Sequence, residues 1–145
     1  KYDVIFLDAF SSFSVPFHLA TEEFAHKAAA LLKQDGILMA NSIDILELGR
    51  FLNAYLNTIE RVLPHVYLYS TINTSAVQRS TFVIAAARTE INVEKLYDRH
   101  GALTGVLLED SLLQDLKKRN GDMRLTDDYA PVENLMAPVF LRAVD

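Results

Sequence analysis

Lys1-Tyr2-Asp3-Val4-Ile5-Phe6-Leu7-Asp8 decides the fold. Four consecutive apolar residues, Val4 to Leu7, end abruptly in a carboxylate. An apolar run without alternation reads as a strand buried on both faces, the signature of parallel strands in α/β proteins. Asp8 then sits where that strand leaves the sheet, and open α/β sheets bind ligands outside the carboxyl ends of their strands. The small loop Ala9-Phe10-Ser11-Ser12 follows, so Asp8 is a candidate ligand-facing acid. An interior strand needs a neighbour on each side, yet no strand precedes this one in the sequence.

Outward from that strand the pattern alternates. Thr21 is placed to cap a helix with Glu22 and Glu23 in its first turn, where the helix dipole favours negative charge. Phe24, Ala28, Leu31 and Leu32 form its apolar stripe, and Asp35-Gly36 is expected to end it. Ile37 to Ala40 reads as a second buried strand that exits into Asn41-Ser42. A longer helix is predicted from about Ile45 to Leu63, stopped by Pro64. His65 to Tyr69 and Thr81 to Ala85 read as strands, and the short polar link from Thr71 to Arg79 implies that they are antiparallel. Val93 to Arg99 and Ser111 to Arg119 read as short helices, each followed by a glycine. Pro131 suits the first turn of a last helix, whose length Pro138 should limit.

The chain has 145 residues and half of them are hydrophobic, which suits one domain with a substantial core. Its formal net charge is −5, whereas a nucleic-acid binder would usually show a basic face. The acidic balance favours small or cationic ligands. No apolar stretch is long enough to span a bilayer. The sequence opens without the basic segment and cleavage site of a signal peptide, so a cytoplasmic location is expected. Cysteine is absent, which removes disulfides and thiolate metal sites. His18, His26, His65 and His100 show no metal-binding spacing, so no metal is expected. Ser11, Ser12 and Ser14 lack a Gly-x-Ser-x-Gly elbow, so a serine hydrolase is not indicated.

Several motifs together resemble the C-terminal half of the spermidine/spermine synthase (polyamine aminopropyltransferase) family. Tyr2 to Asp8 resembles the family's fourth strand and its catalytic Asp. Lys33-Gln34-Asp35-Gly36-Ile37-Leu38 is similar to the lead-in to the fifth strand. Tyr67 to Phe82 resembles the closing hairpin, with Tyr69, Thr71 and Ile72 at matching places. Thr126-Asp127-Asp128-Tyr129-Ala130-Pro131-Val132-Glu133 is similar to a stretch of bacterial spermidine synthase-like proteins, some of them fused to membrane transporter domains. The resemblance implies an α/β fold: the C-terminal half of a Rossmann-like methyltransferase fold, with a mostly parallel sheet, an antiparallel closing hairpin and a helical C-terminal tail. Residues 1–145 would then be a single partial domain. The family's glycine-rich loop and ribose-binding acid have no counterpart here, so its nucleotide-binding N-terminal half is absent.

The implied reaction moves an aminopropyl group from decarboxylated S-adenosylmethionine to a polyamine or another small amine. An amine of pKa about 10.4 is protonated at neutral pH, and a carboxylate at the reacting nitrogen can orient it and accept its proton. The resemblance gives Asp8 that role. It puts Asp8 and Ala9 beside the nucleotide donor, and Ser11, Tyr69, Gln78, Asp127 and Asp128 around the amine. Known members carry a second acid where Ser11 stands. From the residues alone, Asp8 could be a turn or cap residue, Asp127 or Asp128 a cap ahead of Pro131, and Tyr69 a core residue. Two other readings stay open: a methyltransferase-like enzyme using S-adenosylmethionine, and a non-catalytic binding or assembly module. The chain alone is expected to be inactive, and to form a homo-oligomer or pair with a missing N-terminal half.

Overall fold

A computed structural model describes residues 1–9, 15–71 and 77–141. Strand β1 (Tyr2–Leu7) leads through a 3-10 turn (Phe17–Leu19) to helix α1 (Glu22–Leu31), strand β2 (Leu32–Ile45) and helix α2 (Arg50–Glu60). Strands β3 (His65–Thr71), β4 (Arg79–Ala87), β5 (Lys95–Tyr97) and β6 (Leu103–Leu107) follow, and helices α3 (Asp110–Asn120) and α4 (Val132–Leu141) close the chain. The strands form one sheet in the order β1-β2-β4-β3-β6-β5. β1 pairs with β2 in parallel, and the remaining pairings are antiparallel. β1, β2, β3 and β5 therefore point one way, β4 and β6 the other.

The core lies on one face of that sheet. Leu38 and Ala40 of β2 stand in register with Ala86 and Ile84 of β4, and Leu68 of β3 is also opposite Ile84. Against them pack Phe51, Leu52, Tyr55 and Ile59 of α2, Ala28 and Ala29 of α1, Leu116 of α3, and Val132 and Met136 of α4. Helix α2 is buried at every position from Phe51 to Ile59. Its polar residues face an irregular stretch of chain. Asn53 Nδ2 donates to Gly121 O (2.8 Å), Asn57 Nδ2 to Gly121 O and Met123 O (both 3.2 Å), and Thr58 Oγ1 accepts from Leu125 N (2.9 Å).

The other face is open at the β1 end. Tyr2, Val4 and Phe6, which share that face by strand alternation, are 58%, 39% and 71% exposed. β1 is an edge strand of this sheet, so the expectation that it is buried on both faces is not met. Its apolar run reports what such a strand is built to meet, and here only β2 and the helical layer meet it.

Local differences from the sequence reading have local causes. Helix α1 ends at Leu31, earlier than Asp35-Gly36 suggests, and β2 begins at Leu32. Gly36 instead serves an irregularity in the β1–β2 register, where a Cβ would lie 2.9 Å from the carbonyl oxygen of Tyr2. Helix α2 starts at Arg50, because Gly49 takes a left-handed turn (φ 50°) that a side chain would strain. Val93 to Arg99 is not a helix. It contains β5, and Asp98 Oδ1 accepts from the amides of His100 and Ala102 to close a hairpin onto β6. Helix α4 runs through Pro138 to Leu141, anchored by buried Val132, Met136 and Val139.

Asp44 is fully buried at the end of β2 and caps α2 from outside the helix. Its Oδ1 accepts from Ile45 N (2.7 Å) and its Oδ2 from Leu52 N (2.9 Å). Loss of hydration pushes its carboxyl up to about 6, against the opposing pull of those amides. A carboxyl raised on folding binds its proton more tightly in the folded state. Stability therefore falls as pH rises from about 4 to about 6, by on the order of 2–3 kcal/mol. Denaturant unfolding at stepped pH checks this, and Asp44→Asn should remove that part of the slope. Tyr2→Lys on the open edge should leave unfolding within about 0.5 kcal/mol of the parent while reducing self-association in sedimentation at high concentration.

Candidate functional site

Asp8 lies just beyond β1, on the exposed rim of the sheet. Parallel pairing sets Leu7 beside Ala40, so the next residues along, Asp8 and Asn41, emerge side by side. Asn41 Nδ2 donates to Asp8 Oδ1 at 3.0 Å. That bond fixes the amide: with its nitrogen on the carboxylate, its oxygen must point the other way. Among the described residues, Asn41 Oδ1 is buried and has no hydrogen-bond partner. An unsatisfied buried acceptor costs about 1–3 kcal/mol, and such a group calls for an explanation.

Beside the pair is a hollow of about 430 Å³ lined by Phe6, Leu7, Asp8, Met39, Ala40, Asn41, Thr81 and Val83. Its floor is apolar, and its polar end presents the Asp8 carboxylate, held by the Asn41 amide. A carboxylate accepts hydrogen bonds, so the arrangement suits a donor-rich cation on an aliphatic chain. A larger hollow of about 610 Å³ lies between the C-terminal ends of α2 and α3, lined by Asn57, Glu60, Arg61, Lys117, Gly121, Asp122 and Arg124. Its charges are largely matched, with Lys117 against Glu60 at 2.6 Å and Arg124 against Glu22 at 3.4 Å. The smaller hollow has the chemistry of a site.

The other sequence-predicted residues are spread out. Ser11 lies outside the described residues. Ala9 is exposed beside Asp8. Tyr69 is 2% exposed, and its hydroxyl donates to Val93 O at 2.7 Å. Together with Tyr67, whose hydroxyl accepts from Ile91 N, it straps residues 91–93 across the sheet. Burial, with a smaller contribution from Tyr67, raises the Tyr69 phenol above its ordinary pKa. Gln78 is exposed in the turn before β4. Asp127 and Asp128 are exposed and do not line the hollow beside Asp8. Asn41 is the residue that sequence reasoning missed as a site candidate. Its position one residue past a buried run, on the strand next to Asp8, was the available signal. Among the described residues no group of three or more His, Asp or Glu is placed to hold a metal, and no helix is long and apolar enough to cross a membrane.

Comparison with known proteins follows this geometry. A probable spermidine synthase from Corynebacterium glutamicum superposes over 90% of the chain with a TM-score of 0.65 at 19% identity. The chain shares the fold of the matched part of that neighbour. The match takes in 49% of that neighbour, so the chain spans about half its length. A polyamine aminopropyltransferase from Vibrio vulnificus is 44% identical over 48 residues, which is 33% of this chain and 16% of that protein. The spermidine synthase of Thermotoga maritima aligns with 61% of the chain at a TM-score of 0.47 and 25% identity. No family model matches the sequence.

Asn41→Leu, close in size and free of the orphaned oxygen, tests the reading of Asn41 as a group held for a ligand. We expect stability to hold or to rise by about 1 kcal/mol in denaturant unfolding. A loss of several kcal/mol would mark Asn41 as a structural residue instead.

Proposed function

We propose that the chain is the amine-accepting half of a spermidine synthase-like aminopropyltransferase, working in the cytoplasm. The observation that supports this best is the Asp8 carboxylate at the mouth of an apolar hollow, held there by the side-chain amide of Asn41. The acceptor substrate is a polyamine or a related small amine. Its methylenes would lie on Phe6, Met39 and Val83. Its reacting nitrogen would donate to Asp8.

An ammonium must lose a proton before it can attack, and Asp8 is the group placed to take it. The nitrogen lone pair then forms the new bond to the propyl carbon, and the C–S bond breaks toward sulfur. The donor, decarboxylated S-adenosylmethionine, is a sulfonium whose thioether leaves neutral, so its departure needs no acid. Asp8 and Ala9 at the strand end suit the cationic side of that donor. The nucleotide itself would be held by a half-domain that this chain does not contain.

That half-domain would add its strands to the free edge of β1 and cover Tyr2, Val4 and Phe6. It could belong to the same polypeptide or to a second chain, and a homo-oligomer could form on the completed unit. Alone, the chain binds amines but transfers nothing.

The test is an assay of the complete protein with decarboxylated S-adenosylmethionine, and separately with S-adenosylmethionine, against putrescine and spermidine. We expect aminopropyl transfer, and a fall of about a hundredfold or more in kcat/KM for Asp8→Asn. Methyl transfer without aminopropyl transfer would make the chain part of a methyltransferase instead.

A further inference from the structure

Two adjacent carboxylates, Asp127 and Asp128, occupy one tight turn. Thr126 and Tyr129 exchange backbone hydrogen bonds of 3.0 Å in both directions, which leaves Asp127 and Asp128 as the central residues. Their surroundings differ. Asp127 Oδ1 accepts from the hydroxyl of Thr21 at 2.7 Å, and the Asp127 amide donates to Glu23 Oε2 at 3.0 Å. Thr21 is fully buried and is the N-cap of α1, with its Oγ1 accepting from Phe24 N at 3.3 Å. Asp127 thus holds the hydroxyl proton and leaves a lone pair of that oxygen for the helix amide. Glu22 N donates to Leu125 O at 2.8 Å, and Arg124 pairs with Glu22 at 3.4 Å, so the turn grips the first residues of α1 on both sides. Asp128 has no hydrogen-bond or ion-pair partner among the described residues.

The gripped end of α1 is the end that matters for the site. Its other end lies by the start of β1, where Lys1 Nζ donates to Ala30 O. The helix runs antiparallel to β1, so its N-terminus lies at the same end of the sheet as Asp8.

We propose that Asp127 is a positioning residue: through the Thr21 hydroxyl it fixes the N-terminus of α1 at the Asp8 end of the sheet and does not itself bind the amine. The link to the site rests on the aminopropyltransferase reading above, whereas the clamp itself does not.

Asparagine separates the hydrogen bond from the charge, because its amide oxygen can accept from Thr21 but carries no charge. Amide hydrogen exchange on the isolated chain reads the clamp. Asp127→Ala should speed exchange at Glu22 and Phe24 about tenfold, Asp127→Asn should restore most of the protection, and Asp128→Asn should leave it unchanged. Thr21→Val combined with Asp127→Ala should be no worse than Thr21→Val alone, which already loses both the cap and the bond to Asp127. Unchanged exchange in Asp127→Ala would overturn the clamp.

In the complete protein, Asp127→Asn should keep the amine KM within about twofold. An amine KM raised about tenfold by Asp127→Asn would show that charge at Asp127 binds substrate, and would overturn the proposal. Absence of any aminopropyl transfer in the parent protein would remove the functional reading and leave the exchange data to judge the clamp.

Discussion

The carbonyl groups of Gly121 and Met123 sit in a stretch with no regular structure to satisfy them, and the side-chain amides of Asn53 and Asn57 do so from a helix that is otherwise core. A buried amide that found no partner there would be costly, and so would a buried carbonyl. Each therefore needs the other. The pairing fixes where residues 121–125 cross α2, and Thr58 takes the amide of Leu125 to finish the seam. From that seam the chain reaches the N-terminus of α1, so the last third of the molecule is tied to its first third through one helix. The polar stripe of α2 is thus a docking strip that apolar side chains of the same size could not replace.

The sheet divides the labour between its faces. The helical face carries the core and gives the strands their stability. The opposite face carries the proposed site: the Asp8–Asn41 pair and its hollow sit where, among the described residues, no helix covers the strands. The Tyr67 and Tyr69 hydroxyls close the far side of that face by holding residues 91–93 across it. The result is a face that is sealed at β3 and open at β1.

Much of this was legible in the sequence, and the failures have physical causes. A run of apolar residues ending in Asp8 marked a strand and where it stops, because composition and position agreed there. The same run overstated the burial of β1, since apolarity records an intended neighbour and not its presence. The Thr21 cap and the Pro64 stop were readable because capping is local. The strand at Lys95–Tyr97 was not, because a three-residue strand next to a hairpin turn has too few residues to show a period. Asn41 and the Thr21–Asp127 bond escaped for another reason: they join residues 33 and 106 positions apart, and no local pattern announces such a partner.

Helix α1 has no basic residue in its last turn. Its final carbonyls are answered from elsewhere: Ala29 O by Arg88 at 2.6 Å, and Ala30 O by Lys1. Those cations arrive on the end of β4 and the start of β1, and the helix N-terminus waits on Asp127. A ten-residue helix is marginal by itself in water. It therefore becomes secure only once the strands on either side of β2 have come into register and the C-terminal turn has docked, which makes it a late arrival in the assembly of the fold and an early departure when the protein comes apart.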